Sequence, residues 1–237
     1  MPDADPLAAE QQRIAAVYAG RERKLGPGIY SEAEPANRYL IAQRERATLG
    51  LLGDHGVALG GRDILEVGCG HGAELVRLIA WGAEARRLAG IDLLADRIVK
   101  ARERLPDADL RVADVRSLPF DDASFDLVMQ VTLFSSIVGT PNRDRAAAEM
   151  RRVLRPGGYI LWCDMWVVRP DRPLAAMPEK EIRRLFPGCQ ADIRRAVLNP
   201  LLARQIAKPL PWLCDLLTRF PALRAYNLAL LTCGSSS

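Results

Sequence analysis

Hydrophobic positions along this chain change period several times, and the changes mark out its elements. Between Pro6 and Arg23, Leu7, Ile14, Val17 and Tyr18 recur at helical spacing until Leu25-Gly26-Pro27-Gly28 interrupts them. Pro35 to Leu52 carries a second helical stripe in Tyr39, Leu40, Leu49 and Leu52. Both stripes precede the first strand, which predicts an N-terminal helical cap over residues 1–55. Asp63-Ile64-Leu65-Glu66-Val67 then reads as a strand, Gly68-Cys69-Gly70-His71-Gly72 as a tight turn, and Leu75, Val76, Leu78 and Ile79 as the helix that follows. Leu88 to Leu93, Leu110 to Ala113, Phe125 to Val131 and Tyr159 to Cys163 predict four more strands, with helices over Ala95 to Leu105 and Arg143 to Leu154.

The run Phe125 to Val131 is broken only by Asp126 and Gln130, as suits a central parallel strand covered on both faces. Strands alternating with helices specify an α/β, Rossmann-like doubly wound sheet. Past a Pro-rich loop, Val168 to Pro178, the pattern predicts a helix over Glu179 to Phe186, a strand over Ile193 to Leu198, a helical insert at about 200–220 and a last strand over Ala225 to Thr232. Residues 56–237 thus read as one seven-stranded unit, mostly parallel with an antiparallel last strand.

Composition narrows the partners. Basic and acidic residues number 33 and 29, a net charge of +4, and they are interspersed, which gives no electrostatic case for nucleic acid. The start of the chain lacks a basic, apolar leader, and no stretch approaches the roughly 18 apolar residues of a membrane span. Five scattered cysteines without a C-x-x-C pair predict neither disulfides nor a zinc site, so the reduced cytoplasm is the expected compartment. Trp212, Leu213, Leu216 and Leu217 recur at helical spacing and predict a core or dimer face, hence a monomer or homodimer.

Gly68, Gly70 and Ala73 satisfy the dinucleotide fingerprint, but Glu66 stands two residues before the first glycine. A pyrophosphate is held by backbone N–H groups and a positive helix end, with no anion beside it. An acid there suits a ligand that carries positive charge. Ile64-Leu65-Glu66-Val67-Gly68-Cys69-Gly70-His71-Gly72 closely resembles the first motif of class I S-adenosylmethionine-dependent methyltransferases. Asp92, in Gly90-Ile91-Asp92, resembles that family's ribose-binding acid, and Asp114 the acid facing the adenine amine. Twenty-two positions separate Gly70 from Asp92 and again Asp92 from Asp114, the spacing of successive βα units. Leu118 to Val128 and Glu149 to Gly158 continue the resemblance, in the subgroup that includes quinone-biosynthesis and natural-product methyltransferases.

The resemblance implies methyl transfer from S-adenosylmethionine to a small organic acceptor, giving S-adenosylhomocysteine, without a metal. The cofactor residues it implies are Glu66, Gly68, Gly70, Gly72, Asp92, Leu93, Asp114, Val115, Gln130 and Thr132. Asp164 and His71 are candidate bases, and Tyr30, Arg38, Tyr39, Phe134 and Trp166 are candidates for the acceptor pocket. Blander roles compete: Asp92 is placed to cap the helix from Ala95, and helix packing equally explains Tyr39. The rival functions are an NAD(P)-dependent oxidoreductase, for which no Tyr-x-x-x-Lys pair is present, and a non-catalytic cofactor-binding partner subunit.

Overall fold

Apolar runs expected at the centre of the sheet are buried from end to end: β1 (Ile64–Val67) and β2 (Leu88–Asp92) expose none of their residues. A computed structural model describes residues 11–17, 20, 31, 33–168 and 174–234. The remaining strands are β3 (Asp109–Val112), β4 (Phe125–Val131), β5 (Leu154–Met165), β6 (Cys189–Leu198) and β7 (Arg224–Cys233). The helices are α1 (Pro35–Asp54), α2 (Ala73–Ala80), α3 (Ala95–Arg104), α4 (Thr140–Arg152), α5 (Glu179–Leu185), α6 (Pro200–Ile206) and α7 (Pro211–Thr218). Residues 11–17 are helical as well.

The seven strands form one sheet in the order β3-β2-β1-β4-β5-β7-β6. All neighbouring pairs from β3 to β5 are parallel, and β7 lies antiparallel between β5 and β6. Strand order reverses between β1 and β4, which opens a crevice at the carboxyl ends of the strands, where such sheets bind ligands. Side chains alternate between two cores. On one face Leu65, Val67, Ile91, Val128 and Trp162 pack against α4 and α5. On the other, Ile64, Leu127, Met129, Cys163 and Leu228 pack against α1, α2 and α3. Glu66 shares the parity of Ile64 and so belongs to this second face.

α1 starts where Glu34 accepts the Asn37 N–H at 3.0 Å and Pro35 occupies the first turn. It leans on β6, β7 and α6. The insert is two short helices instead of one, and its apolar stripe is split: Trp212 and Leu216 are exposed, whereas Cys214 faces inward.

One expectation is overturned. Cys189 and Cys233, 44 positions apart, are bonded to each other. They are register partners on adjacent antiparallel strands, a juxtaposition that only the pairing of β6 with β7 creates. Tyr30, the Ser235 to Ser237 tail and parts of the first helix and of the Pro-rich loop lie outside the described residues. Among the described residues no helix is long and apolar enough to cross a membrane.

Candidate active site

The glycine loop is fastened to the strand beside it. Gly68 N–H and Cys69 N–H both donate to the Ile91 carbonyl at 2.8 Å. Gly70 has φ +54°, and a Cβ there would meet nothing within 4 Å, so this glycine supplies left-handed backbone beside open space. Gly72, with φ +76°, is left-handed too and is further constrained by packing: an added Cβ would come within 2.9 Å of Cδ1 of Leu105, just past the end of α3. Asp92, at the end of β2, ties the rim together. Its Oδ2 accepts the Gly70 N–H at 3.0 Å and its Oδ1 the Leu94 N–H at 2.9 Å. Arg97 Nη1 approaches Oδ2 at 3.9 Å. Each carboxylate oxygen keeps acceptor capacity after these bonds.

Beside this loop lies a cavity of about 160 Å³, lined among others by Gly68, Asp92, Leu93, Asp114, Val115 and Thr132. Six of the ten expected cofactor residues therefore share one cavity. Asp114 is engaged by a residue the sequence reading missed. Arg116 donates to it through Nε at 2.8 Å and through Nη2 at 2.5 Å, and its Nη1 reaches Asn142 Oδ1 at 3.2 Å. Burial raises the Asp114 pKa, but these bonds lower it further, and the net shift is downward. Thr132 has φ +58°, an uncommon conformation for a β-branched residue, and its N–H donates to the Cys163 carbonyl at 2.8 Å. The helical residues 11–17 lie across the opening. Ile14 lines the cavity, Gln11 Nε2 donates to the Leu93 carbonyl at 3.0 Å, and Arg13 Nη2 donates to the Ser136 carbonyl at 3.2 Å.

Several expected site residues sit elsewhere. Gln130 is fully buried behind the rim, where its Oε1 accepts the Leu133 N–H at 2.9 Å and its Nε2 donates to Cys163. Asp164 is likewise buried and accepts the N–H groups of Ser135 at 3.0 Å and Met165 at 2.8 Å. Burial pushes its carboxyl up to about 6 despite those bonds. It holds the wall segment around Ser135 and does not line the cavity. Phe134 is a core ring, 4.6 Å from Trp162 between centroids. Tyr39 packs on the insert and donates to Asp215 Oδ1 at 2.9 Å, so the packing role wins. Trp166 donates from Nε1 to the Arg224 carbonyl at 2.7 Å beneath the Arg195 guanidinium. His71 and Arg38 line a separate outer groove with Arg77 and Arg104. Burial, then Arg97, Lys100 and Arg104, lower the His71 pKa.

Glu66 lies on the other face of β1, 2% exposed, and its Oε2 has no hydrogen-bond partner. Burial first, then the like charge of Glu74, raises its pKa well above the ordinary carboxylate range. Arg44 of α1 opposes that effect and pairs with Glu74. An unpartnered buried carboxylate is expensive and calls for a cationic or donor ligand group.

Comparisons with known proteins agree with this geometry. A family described as "Methyltransferase domain" matches residues 64–158. The chain is 38% identical over 152 residues to a phthiotriol/phenolphthiotriol dimycocerosates methyltransferase of Mycobacterium tuberculosis, covering 63% of this chain and 49% of the relative. It therefore spans about half the length of such relatives. It is 34% identical over 235 residues to a fatty-acid O-methyltransferase of Mycolicibacterium smegmatis, covering 92% of this chain and 80% of that one. An S-adenosylmethionine-dependent methyltransferase from Mesorhizobium loti shares the fold, with TM-score 0.57 and 18% identity over 80% of this chain and 95% of that one. With the glycine loop, Asp92 and Asp114 gathered on one rim, and a relative matched at this identity over four fifths of its length, the chain belongs to the class I S-adenosylmethionine-dependent methyltransferases.

Proposed function

We propose that the protein transfers the methyl group of S-adenosylmethionine to the carboxylate of a small acyl acceptor, giving a methyl ester and S-adenosylhomocysteine. The observation that carries the acceptor class is that both side chains expected to act as bases are committed elsewhere. Asp164 is spent on backbone amides and His71 faces the outer groove. A hydroxyl acceptor needs a base, whereas a carboxylate is already ionised near neutral pH. The similarity to a fatty-acid O-methyltransferase points the same way.

The sulfonium supplies an activated methyl group, and a carboxylate oxygen displaces the sulfur while the C–S bonding pair returns to it. The chain's share is alignment and exclusion of water. Asp92 has acceptor capacity for ribose hydroxyls, Val115 and Asp114 line the same cavity and are assigned to the adenine, and unpartnered Glu66 Oε2 suits the ammonium. The helix at residues 11–17 screens the cavity through Ile14. An NAD-dependent alternative places a pyrophosphate beside Glu66, which is unfavourable.

The reading extends to a metal-free reaction, because Asp164, the carboxylate expected after the fifth strand, is fully buried and does not line the cavity. Incubation with methyl-labelled S-adenosylmethionine and decanoate should yield labelled methyl decanoate, at a rate unchanged by EDTA. Label appearing in decanol but never in decanoate contradicts the acceptor class. A rate lost to EDTA and restored by Mg²⁺ contradicts the metal-free reaction.

A further inference from the structure

The apolar residues of α7 face two ways. On one side Cys214 and Leu217 turn inward and pack with Ala203 of α6 and with Ala36 and Tyr39 of α1. The other side has no such cover. Trp212, Leu216 and Phe220 recur at intervals of four, which sets them in one row along α7 and the turn after it, and all three are exposed, as is Leu210 just before the helix. Trp212, at 61%, is the most exposed large apolar side chain among the described residues. Single exposed apolar residues are ordinary, but a row bounded at both ends by an aromatic ring marks an interaction surface.

Topology and charge indicate the partner. β5 and β6 both run antiparallel to β7, so β6 ends on the same side of the sheet as the parallel strands, at the rim that carries the glycine loop. α6 follows that end directly: the Asn199 N–H donates to the Leu223 carbonyl at 2.8 Å, and the Asn199 side chain accepts the Leu201 N–H at 2.9 Å. The insert therefore stands on the ligand-binding rim, beyond β5. Residues 200–224 hold four basic side chains, Arg204, Lys208, Arg219 and Arg224, and one acid, Asp215, which accepts the Tyr39 hydroxyl at 2.9 Å. Lys208 and Arg219 are exposed and flank the row, four positions before Trp212 and three after Leu216. A second copy of the chain is a poor match, because a two-fold contact sets the same patch against itself and brings these cations together. Aromatic rings between exposed cations suit an anionic bilayer surface, where the rings enter the headgroup boundary and the cations meet phosphates.

We propose that the exposed face of α7 docks the protein on a bilayer bearing anionic headgroups, with Trp212, Leu216 and Phe220 inserted and Lys208 and Arg219 at the phosphates. Docking rests on exposure, charge and topology, and it holds whatever group of the acceptor is methylated. For an acyl acceptor it has a direct use: the ligand-binding rim is set beside a store of acyl chains.

The test is co-sedimentation of the full chain with vesicles of phosphatidylcholine alone and of equal parts phosphatidylcholine and phosphatidylglycerol. Wild type should bind the mixed vesicles about tenfold more tightly than the neutral ones, and added salt should erode that preference. Replacing both rings, Trp212→Ala with Phe220→Ala, should weaken binding to the mixed vesicles about tenfold or more. Replacing both cations, Lys208→Gln with Arg219→Gln, should remove most of the preference for phosphatidylglycerol. All four side chains are exposed, so melting temperature and S-adenosylhomocysteine affinity should not move. Brominated acyl chains should quench the tryptophan fluorescence of wild type and spare Trp212→Phe, which decides the matter if a double variant fails to fold. A wild type that stays in the supernatant with mixed vesicles would overturn the docking surface. So would binding that ignores phosphatidylglycerol, or a ring variant that binds as well as wild type. A wild-type dimer in sedimentation velocity that the ring variant converts to monomer would give the row to a second copy and also overturn it.

Discussion

The two ends of the rim are built on different plans. Around Asp92 and Asp114 each carboxylate already has partners inside the fold: the N–H groups of Gly70 and Leu94 for one, Arg116 for the other. Around Glu66, Arg44 and Arg204 buried polar atoms lack partners. The first end is organised before any ligand arrives and spends its carboxylates on shaping backbone. The second leaves buried polar atoms without partners, which is costly, so it is the end where a bound ligand has most to complete.

The largest expected effect concerns Asp164, whose buried carboxyl braces the wall between the two ends. Its folded pKa, about 6, exceeds the ordinary 3.8, so the folded state favours the protonated form. The stability it contributes is present below about pH 4 and lost as pH rises through 6, a change of about 3 kcal/mol at 1.36 kcal/mol per pKa unit. Denaturant titrations from pH 4 to 7 should show this slope in wild type and its loss in Asp164→Asn. An identical slope in both would remove Asp164 from the account.

Next comes Asp92→Ala. It takes away the acceptor for Gly70 N–H and for the ribose, and should weaken S-adenosylhomocysteine binding by about 1.5 to 3 kcal/mol in calorimetry. Equal affinities would mean that the organised end does not hold the cofactor. Glu66 tests the other plan. With its pKa raised in the free protein, a ligand ammonium must draw the carboxyl into its charged form. Cofactor affinity should therefore climb with pH across the acid range, by up to about tenfold per unit, and Glu66→Gln should flatten that dependence. The smallest effect is expected from Asp114→Asn. Its amide oxygen still accepts, so the loss should stay below about 1 kcal/mol and should show mainly as weaker discrimination between adenosyl and inosyl cofactors.

The organised end was legible because its residues follow one another at strand ends. A strand, a glycine turn and the next strand's terminal acid place Gly68, Asp92 and Asp114 with little choice, and the mostly parallel, doubly wound character of the sheet followed from alternation. Arg116 was missed although it stands only two residues after Asp114, a spacing that lets a guanidinium fold back on the acid. Gln11, Arg13 and Ile14 sat on an expected helix, but nothing local says that this helix crosses the cavity. Asp164, Gln130 and Phe134 were correctly placed near strand ends and wrongly aimed. A period-two pattern gives the face of a residue, not whether backbone amides will claim its side chain. Arg44 of the cap helix meets Glu74 of α2, 30 positions on, and Cys189 meets Cys233 only through sheet pairing. Those encounters are tertiary, and no local spacing announces them.

The most direct measurement is a calorimetric titration of S-adenosylmethionine into the full chain, repeated with excess NAD present. The account expects one S-adenosylmethionine per chain and an isotherm that NAD does not shift. Tight NAD binding that displaces S-adenosylmethionine, or no binding of S-adenosylmethionine at all, would contradict it.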